Sequence, residues 1–488
     1  MPPVRNLMNP LRHAVACIAV LAALTPAAAE PVAELVGRLD AARLKGGVPA
    51  FAVVLVERGR PAVVRYGGVA DLADKPPVSD RTRFRIGSIT KTFTAVAILL
   101  ADRAGSLDIE APLTEATGSG LIANPWAPDD PVTVARLLEH SAGLQDWVRD
   151  EWDLNDPLSL ADALNYRPAS RIVRWRPGLF DSYSNNGPGI AARVLELETG
   201  DSYETFVDEH IFTPLGMESA TITPDAATFA ALAAGYDTDG HSVIPYWHVI
   251  FRPSAAISAE PADMAPLIRM FLNRGTVNGG RLLTEDEVRR METPDTTLAA
   301  RNGLYSGYGL GLRSWQHQGH LLFGHGGDAD GYLSHFGYSR DSGRGYFVVI
   351  NIFRHPPLRE MRAVLDDWVT APLPEVQIAA GEIDPDVARA LTGHYRQFTT
   401  RFPGSSPASP IEVEWVDGVL RTRTDNTIRE LVPVTGMLFR RPWETRPTAV
   451  FASGPDGRVY MIGNFGNFVR QDESEAGQTS HGPALPGA

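Results

Sequence analysis

The chain has 488 residues and a formal net charge of −13, with a single cysteine, Cys17. Its length is more than one ordinary core needs, so a large domain plus a smaller one is expected. The acidic balance argues against nucleic acid or an anionic membrane surface as a partner, and one cysteine excludes an internal disulfide framework.

Residues 1–29 read as a secretory signal peptide. Arg5 and Arg12 supply a positive start, Ala14 to Leu24 an apolar run, and Ala27-Ala28-Ala29 a small-residue cleavage site. The run is short for a membrane span; an uncleaved anchor is the alternative. Cleavage would remove Cys17 and two arginines, taking the net charge from −13 to −15. The expected location is exported, periplasmic or secreted, with no stable membrane insertion after cleavage.

Residues 33–45 have the spacing of an amphipathic helix. Phe51 to Val56 and Ala62 to Gly67 read as strands around a turn at Glu57-Arg58-Gly59-Arg60. A helix opens at Ser88 and ends at Gly105. Residues 106–300 are mostly helical patterns broken by Pro and Gly, such as Val134 to His140, Gly189 to Thr199 and Ala262 to Gly275. Strands return at Tyr308 to Trp315, His320 to Phe323, Gly331 to Tyr338 and Tyr346 to Ile352, before a helix from Pro357 to Val369. Strands at both ends of a helical block predict an α+β domain over 30–370, its helical lobe inserted into a sheet. Residues 371–383 read as a Pro-containing linker. Residues 384–472 alternate in short segments with Asp417-Gly418 and Pro455-Asp456-Gly457 turns, predicting an all-β barrel or sandwich. Residues 473–488 have the composition of a disordered tail.

Lysine is scarce: of 45 basic residues only Lys45, Lys75 and Lys91 are lysines. Lys91 lies three residues after Ser88, in Gly87-Ser88-Ile89-Thr90-Lys91. Residues i and i+3 share a helix face. A buried lysine can release its proton where an arginine cannot, so Lys91 can serve as a base toward the Ser88 hydroxyl. A helix start also offers N–H groups to a developing oxyanion. An N-cap serine followed by a surface lysine would give the same spacing.

Two further segments hold groups such a site needs. Asp181-Ser182-Tyr183-Ser184-Asn185 contains the only Tyr-x-Asn of the chain; Tyr183 can exchange a proton with Ser88, and Asn185 can hold Lys91 or substrate. Gly324-His325-Gly326-Gly327-Asp328 reads as a loop after a strand, with glycines that let a substrate lie along the edge. His317-Gln318-Gly319 reads as a hairpin turn instead. No metal-ligand spacing and no phosphate loop is present, so neither metal nor cofactor is expected.

In this order, Ser88-Ile89-Thr90-Lys91, Tyr183-Ser184-Asn185 and His325-Gly326-Gly327 resemble the motifs of the serine β-lactamase-like family. That family includes class C β-lactamases, D-alanyl-D-alanine carboxypeptidases, D-aminopeptidases and esterases. The resemblance covers roughly residues 33–370. It implies a β-lactamase-like sheet flanked by helices, Ser88 as acylated nucleophile, Lys91 and Tyr183 as proton-transfer pair, and Asn185 as positioning group. It also implies substrate contacts at His325, Gly326 and Gly327, and an oxyanion hole from the backbone N–H groups of Ser88 and Asp328. His325 stands where class C enzymes carry a lysine that holds the substrate carboxylate. The expected activity is therefore cleavage of a small ester, amide or short peptide through an acyl-enzyme. The alternatives are a D-amino-acid-directed peptidase, and a β-lactamase or a β-lactam-binding sensor that acylates without turnover. Nothing in the sequence fixes the oligomeric state.

Overall fold

The computed structural model describes residues 31–113, 119–376, 380–425 and 427–472. The expected signal peptide and C-terminal tail lie outside them.

Helix α1 (Val32–Lys45) leads into β1 (Ala50–Glu57) and β2 (Val63–Gly68), and the long central helix is α2 (Thr90–Arg103). After the helical block, which includes α3 (Asn186–Thr199), the chain returns as β3 (Arg313–His317), β4 (His320–Ala329), β5 (Tyr332–Ser339) and β6 (Arg344–Ile350), then α4 (His355–Thr370). These strands form one antiparallel six-stranded sheet in the order β2-β1-β6-β5-β4-β3. β1 is apolar at nearly every position, as a central strand covered on both faces must be. Ala52, Val54, Phe336 and Phe347 face the helical block. Phe51, Val53, Val348 and Ile350 face α1 and α4 through Leu35, Leu39, Met361 and Leu365. Alternation along each strand thus sorts two cores to opposite sides of one sheet.

α2 is buried on all sides from Thr90 to Leu99, which explains a helix without an amphipathic stripe. Its hydroxyls find partners: Thr92 donates to the Gly311 carbonyl and Thr94 to that of Pro253, both at 2.7 Å.

The smaller C-terminal domain is a closed eight-stranded antiparallel barrel from Gly393–Gln397 to Gly466–Arg470, closed by pairing of its first and last strands. Of the two architectures expected, the sandwich is excluded by that closure. The two domains share an apolar seam, with Trp175, Phe180 and Leu298 packed among Val450, Tyr460 and Ile462. Beside the seam, the edge strand β3 is tied to the barrel. The Gln316 amide accepts from the N–H groups of Thr445 (3.2 Å) and Arg446 (2.9 Å) and donates to the Arg446 carbonyl (3.1 Å).

Three local expectations change. Tyr308 to Leu312 is loop rather than strand, because Gly309 and Gly311 press their backbone against Met291 and Lys91. A Cβ there would stand 2.2 Å from the Met291 carbonyl oxygen or 2.6 Å from that of Lys91. β4 runs six residues beyond Phe323, through His325-Gly326-Gly327, which is strand and not loop. α2 proper begins at Thr90, so Ser88 sits in a single 3₁₀ turn, Gly87–Ile89, leading into it. Among the described residues no helix is long and apolar enough to cross a membrane.

Candidate active site

Ser88 is held by its neighbours' backbone. Phe84 and Arg85 pair with Ala259 and Ser258, and the chain turns sharply at Gly87 with φ +55°. Only glycine fits, since a Cβ would lie 2.7 Å from both the amide nitrogen and the carbonyl oxygen of Asp328. The turn and β4 therefore touch through main chain alone, bringing the Asp328 backbone beside the Ser88 turn.

One turn on, Lys91 is buried, 1 % exposed. Its Nζ lies 2.9 Å from Ser88 Oγ, 2.5 Å from Asn185 Oδ1 and 2.7 Å from the Ser254 carbonyl oxygen. Two of these partners can only accept. Ser254 offers a carbonyl, and the Asn185 amide is oriented because its Nδ2 donates to the Asp146 carboxylate at 2.9 and 3.1 Å. A neutral amine spends its two N–H groups on those acceptors, which leaves its lone pair for the Ser88 hydroxyl. Burial holds the Lys91 amine well below its ordinary range. Asp146 pulls in the opposite direction, and Arg401 adds to the lowering.

Tyr183 stands over this pair, its ring centroid 5.0 Å from Lys91 Nζ. Burial pushes its phenol upward, against the opposing pull of the nearby Arg401 and of the Ser88 hydroxyl. Asn185 caps α3; its backbone N–H donates to Asp146 at 2.9 Å and its carbonyl accepts from Ser254 Oγ at 2.7 Å.

Of the β4 residues expected to contact substrate, His325 and Gly326 line the cavity, whereas Gly327 does not. His325 is buried, with both ring nitrogens engaged: Nδ1 with the Gly326 carbonyl, and Nε2 with the Tyr308 hydroxyl at 2.5 Å. A carbonyl only accepts, so Nδ1 carries the proton and Nε2 accepts from Tyr308. Burial pushes His325 down to about 3, with Lys91 adding to the effect, so the ring is neutral and braces Tyr308. Gly326 lines the cavity. Gly327 instead faces Ile86, where a Cβ would lie 1.9 Å from the carbonyl oxygen; it is a packing glycine that lets β4 approach the serine turn.

The cavity above Ser88 has a volume of about 750 Å³ and is lined by Trp147, Tyr183, Tyr308, His325, Arg401 and Phe402, among others. Arginines and acids share its walls, Arg85, Arg149 and Arg313 with Asp328 and Asp330. Among the described residues no group of three or more His, Cys, Asp or Glu side chains is gathered as a metal site.

Sequence reading missed four participants: Asp146, Ser254, Tyr308 and Arg401. Ser254 acts through a main-chain carbonyl, which no residue type signals. Asp146 lies in a polar stretch with no spacing to Ser88 or Lys91, and only its burial marks it. Arg401 belongs to the barrel domain, and no spacing connects it to Ser88.

A six-stranded antiparallel sheet between helices, with a serine before a buried helix and a lysine one turn on, is the architecture of a class of active-site serine hydrolases. The chain belongs to the beta-lactamase family: the sequence profile of the family described as Beta-lactamase matches residues 28–368. It is similar to a beta-lactamase of Yersinia enterocolitica, 25 % identical across 56 % of this chain and 66 % of the relative. It is also similar to a D-aminopeptidase of Brucella ovis, 29 % identical across 62 % of this chain and 56 % of the relative. Penicillin-binding protein 4 of Amycolatopsis lactamdurans is 24 % identical across 74 % of this chain and 96 % of that protein. The chain thus spans just under two thirds of the first of these and little over half of the second. In fold it resembles an octameric penicillin-binding protein homologue from Pyrococcus abyssi (TM-score 0.58, 20 % identity, 90 % of this chain and 100 % of that one). SurE is similar to the same degree (TM-score 0.60, 21 % identity, 90 % of this chain and 98 % of that one).

Proposed function

We propose that this chain hydrolyses a small ester or amide through an acyl-enzyme on Ser88. The observation that carries the reading is the Lys91 amine, buried against two pure acceptors with its third direction on Ser88 Oγ. As Oγ attacks the substrate carbonyl, its proton passes to Lys91. The carbonyl oxygen gains charge, and the Ser88 and Asp328 amides are the donors proposed to hold it. The protonated lysine then returns the proton, with the Tyr183 phenol as relay, to the departing alcohol or amine as its bond to carbon breaks. Water reverses the path: it gives a proton to Lys91, attacks the acyl carbon, and Ser88 leaves with a proton restored. A lowered lysine and a raised tyrosine favour this neutral pair over a tyrosinate beside an ammonium.

A second reading, action on peptides or amides of D-amino acids, is favoured by the D-aminopeptidase relatives and by Asp328 and Asp330 on the cavity wall. Those carboxylates would meet a substrate ammonium. β-Lactams are expected to be poorer substrates than esters or D-amino amides, because a neutral, engaged His325 offers their carboxylate no charge. The N-terminal 29 residues support export, which N-terminal sequencing of the mature protein would check.

Ser88→Ala is the primary test. Turnover of p-nitrophenyl esters and D-amino-acid p-nitroanilides should fall by roughly 10⁶-fold, as for other serine nucleophiles, together with fluorophosphonate labelling. Undiminished labelling of the variant would sink the assignment.

A further inference from the structure

The loop after the first barrel strand reaches across the domain seam into the hydrolase site. The Arg401 carbonyl accepts from the Asp146 N–H at 2.8 Å, and Gln145 Nε2 donates to Thr400 Oγ1 at 3.1 Å. Behind the loop, Asn467 Nδ2 bridges the Asp181 carbonyl and Thr399 Oγ1, both at 2.8 Å. Arg401 is thereby aimed: its Nε donates to Asp146 Oδ2 at 2.8 Å, and its guanidinium lies 4.5 Å from the Tyr183 ring centroid. From Asp146 the hydrogen bonds continue through Asn185 to Lys91.

Asp146 is fully buried, 0 % exposed. A buried carboxylate needs a compensating positive charge as well as hydrogen bonds. Two cations lie within its reach: Arg401 directly, and Lys91 through Asn185, provided Lys91 keeps its proton. An arginine keeps its proton where a buried lysine can lose it. Where Arg401 satisfies Asp146, Lys91 is free to be an amine; where it is absent, Asp146 draws a proton onto Lys91.

We propose that Arg401, supplied by the barrel, is a positioning residue of the hydrolase site: by pairing with Asp146 it keeps Lys91 in the amine form and fixes the Asn185 amide that orients it. This rests on the reading of Ser88 and Lys91 given above. The barrel is then a component of the site. The other ionisable groups near Lys91 are Tyr183, His140, His325 and Asp328. Burial keeps both histidines neutral, with Lys91 among the lesser causes, so neither replaces the missing charge. Removing Arg401 also raises Tyr183, whose ring it covers. Both members of the proton-transfer pair therefore move the same way.

The test is the pH profile of kcat/KM for p-nitrophenyl acetate in the full-length protein, with Ser88 labelling by a fluorophosphonate run alongside. In Arg401→Gln the acid limb should move alkaline by about one to two pH units, the scale expected when one unit charge near a buried base is lost. Arg401→Lys should keep its midpoint near wild type. Asp146→Asn/Arg401→Gln, which removes both charges, should return toward the wild-type midpoint. A merely structural role would lower the rate at every pH without moving the limb. An unmoved midpoint in Arg401→Gln overturns the inference. If that variant does not fold, a double variant displaced by a full unit or more overturns it instead. Absence of Ser88 labelling in the wild type would count against the hydrolase reading itself, whereas normal labelling with an unmoved limb defeats only the role of Arg401.

Discussion

The floor and the outer wall of the cavity are built in opposite ways. The floor comes from three short segments of one domain, residues 86–91, 183–185 and 254, each locked by main chain: Gly87 against Asp328, Asn185 against Ser254, Lys91 against the Ser254 carbonyl. The wall comes from a loop of another domain. Phe402 is 39 % exposed, and Arg401 stacks on it with 4.7 Å from guanidinium to ring centroid. Chemistry needs atoms fixed to within fractions of an ångström, which buried backbone contacts supply. The loop divides these tasks: Arg401 is tied through Asp146 to the floor, whereas Phe402 beside it is the part of the wall that can vary without disturbing those atoms.

Four substitutions would break or sharpen that contrast. Lys91→Arg keeps a positive charge but removes the base, so kcat should fall by roughly 10²–10⁴-fold. A variant retaining more than about a tenth of wild-type kcat would show that the floor does not work through a neutral amine. Gly327→Ala should cost roughly 1–3 kcal/mol in urea unfolding through overpacking against Ile86. Wild-type stability in that variant would mean the serine turn is not held by close approach of β4.

His325→Gln probes acid stability. Histidine ordinarily titrates near 6.5, and His325 is depressed to about 3 in the fold. The unfolded chain therefore takes up its proton first: stability is whole above about pH 6.5 and is lost as pH falls toward 3. From pH 7 to pH 5 the variant should lose about 2 kcal/mol less than wild type, since glutamine can still accept from Tyr308. Equal losses in urea titrations at the two pH values would contradict a buried neutral imidazole. The mildest effect belongs to the wall. Phe402→Ala should raise KM for bulky acyl esters severalfold, for about 1 kcal/mol of lost apolar contact, with kcat nearly unchanged; a selective fall in kcat would place Phe402 with Arg401 in support of the chemistry rather than in substrate choice.

The same contrast explains what could be read from the sequence. The floor was legible because its spacings are local: Ser88 to Lys91 is one turn, and Tyr183 to Asn185 is the approach to a helix. The sheet was legible because β1 and β6 carry short, nearly continuous apolar runs bounded by turns, as strands buried on both faces require. His325-Gly326-Gly327 was misread as loop because glycines usually punctuate strands; here they let one backbone lie against another within a strand. Tyr308 was drawn into a strand because Tyr308-Gly309-Leu310 alternates, although Gly309 and Gly311 bend the segment around α2. Arg401 was out of reach, since nothing local tells a barrel arginine which surface it will cross.

The clasp of Gln316 on Thr445 and Arg446 has a bearing on how this chain is made. β3 is an edge strand, and its cover lies more than a hundred residues downstream. A chain synthesised from its N-terminus completes the six-stranded sheet before that cover exists, leaving an open edge next to the apolar Trp175–Phe180 surface. Such an edge is a template for pairing with a sister molecule. Ending the chain at residue 370 would make that interval permanent, and light scattering of the shortened protein should reveal assemblies that the full-length protein avoids.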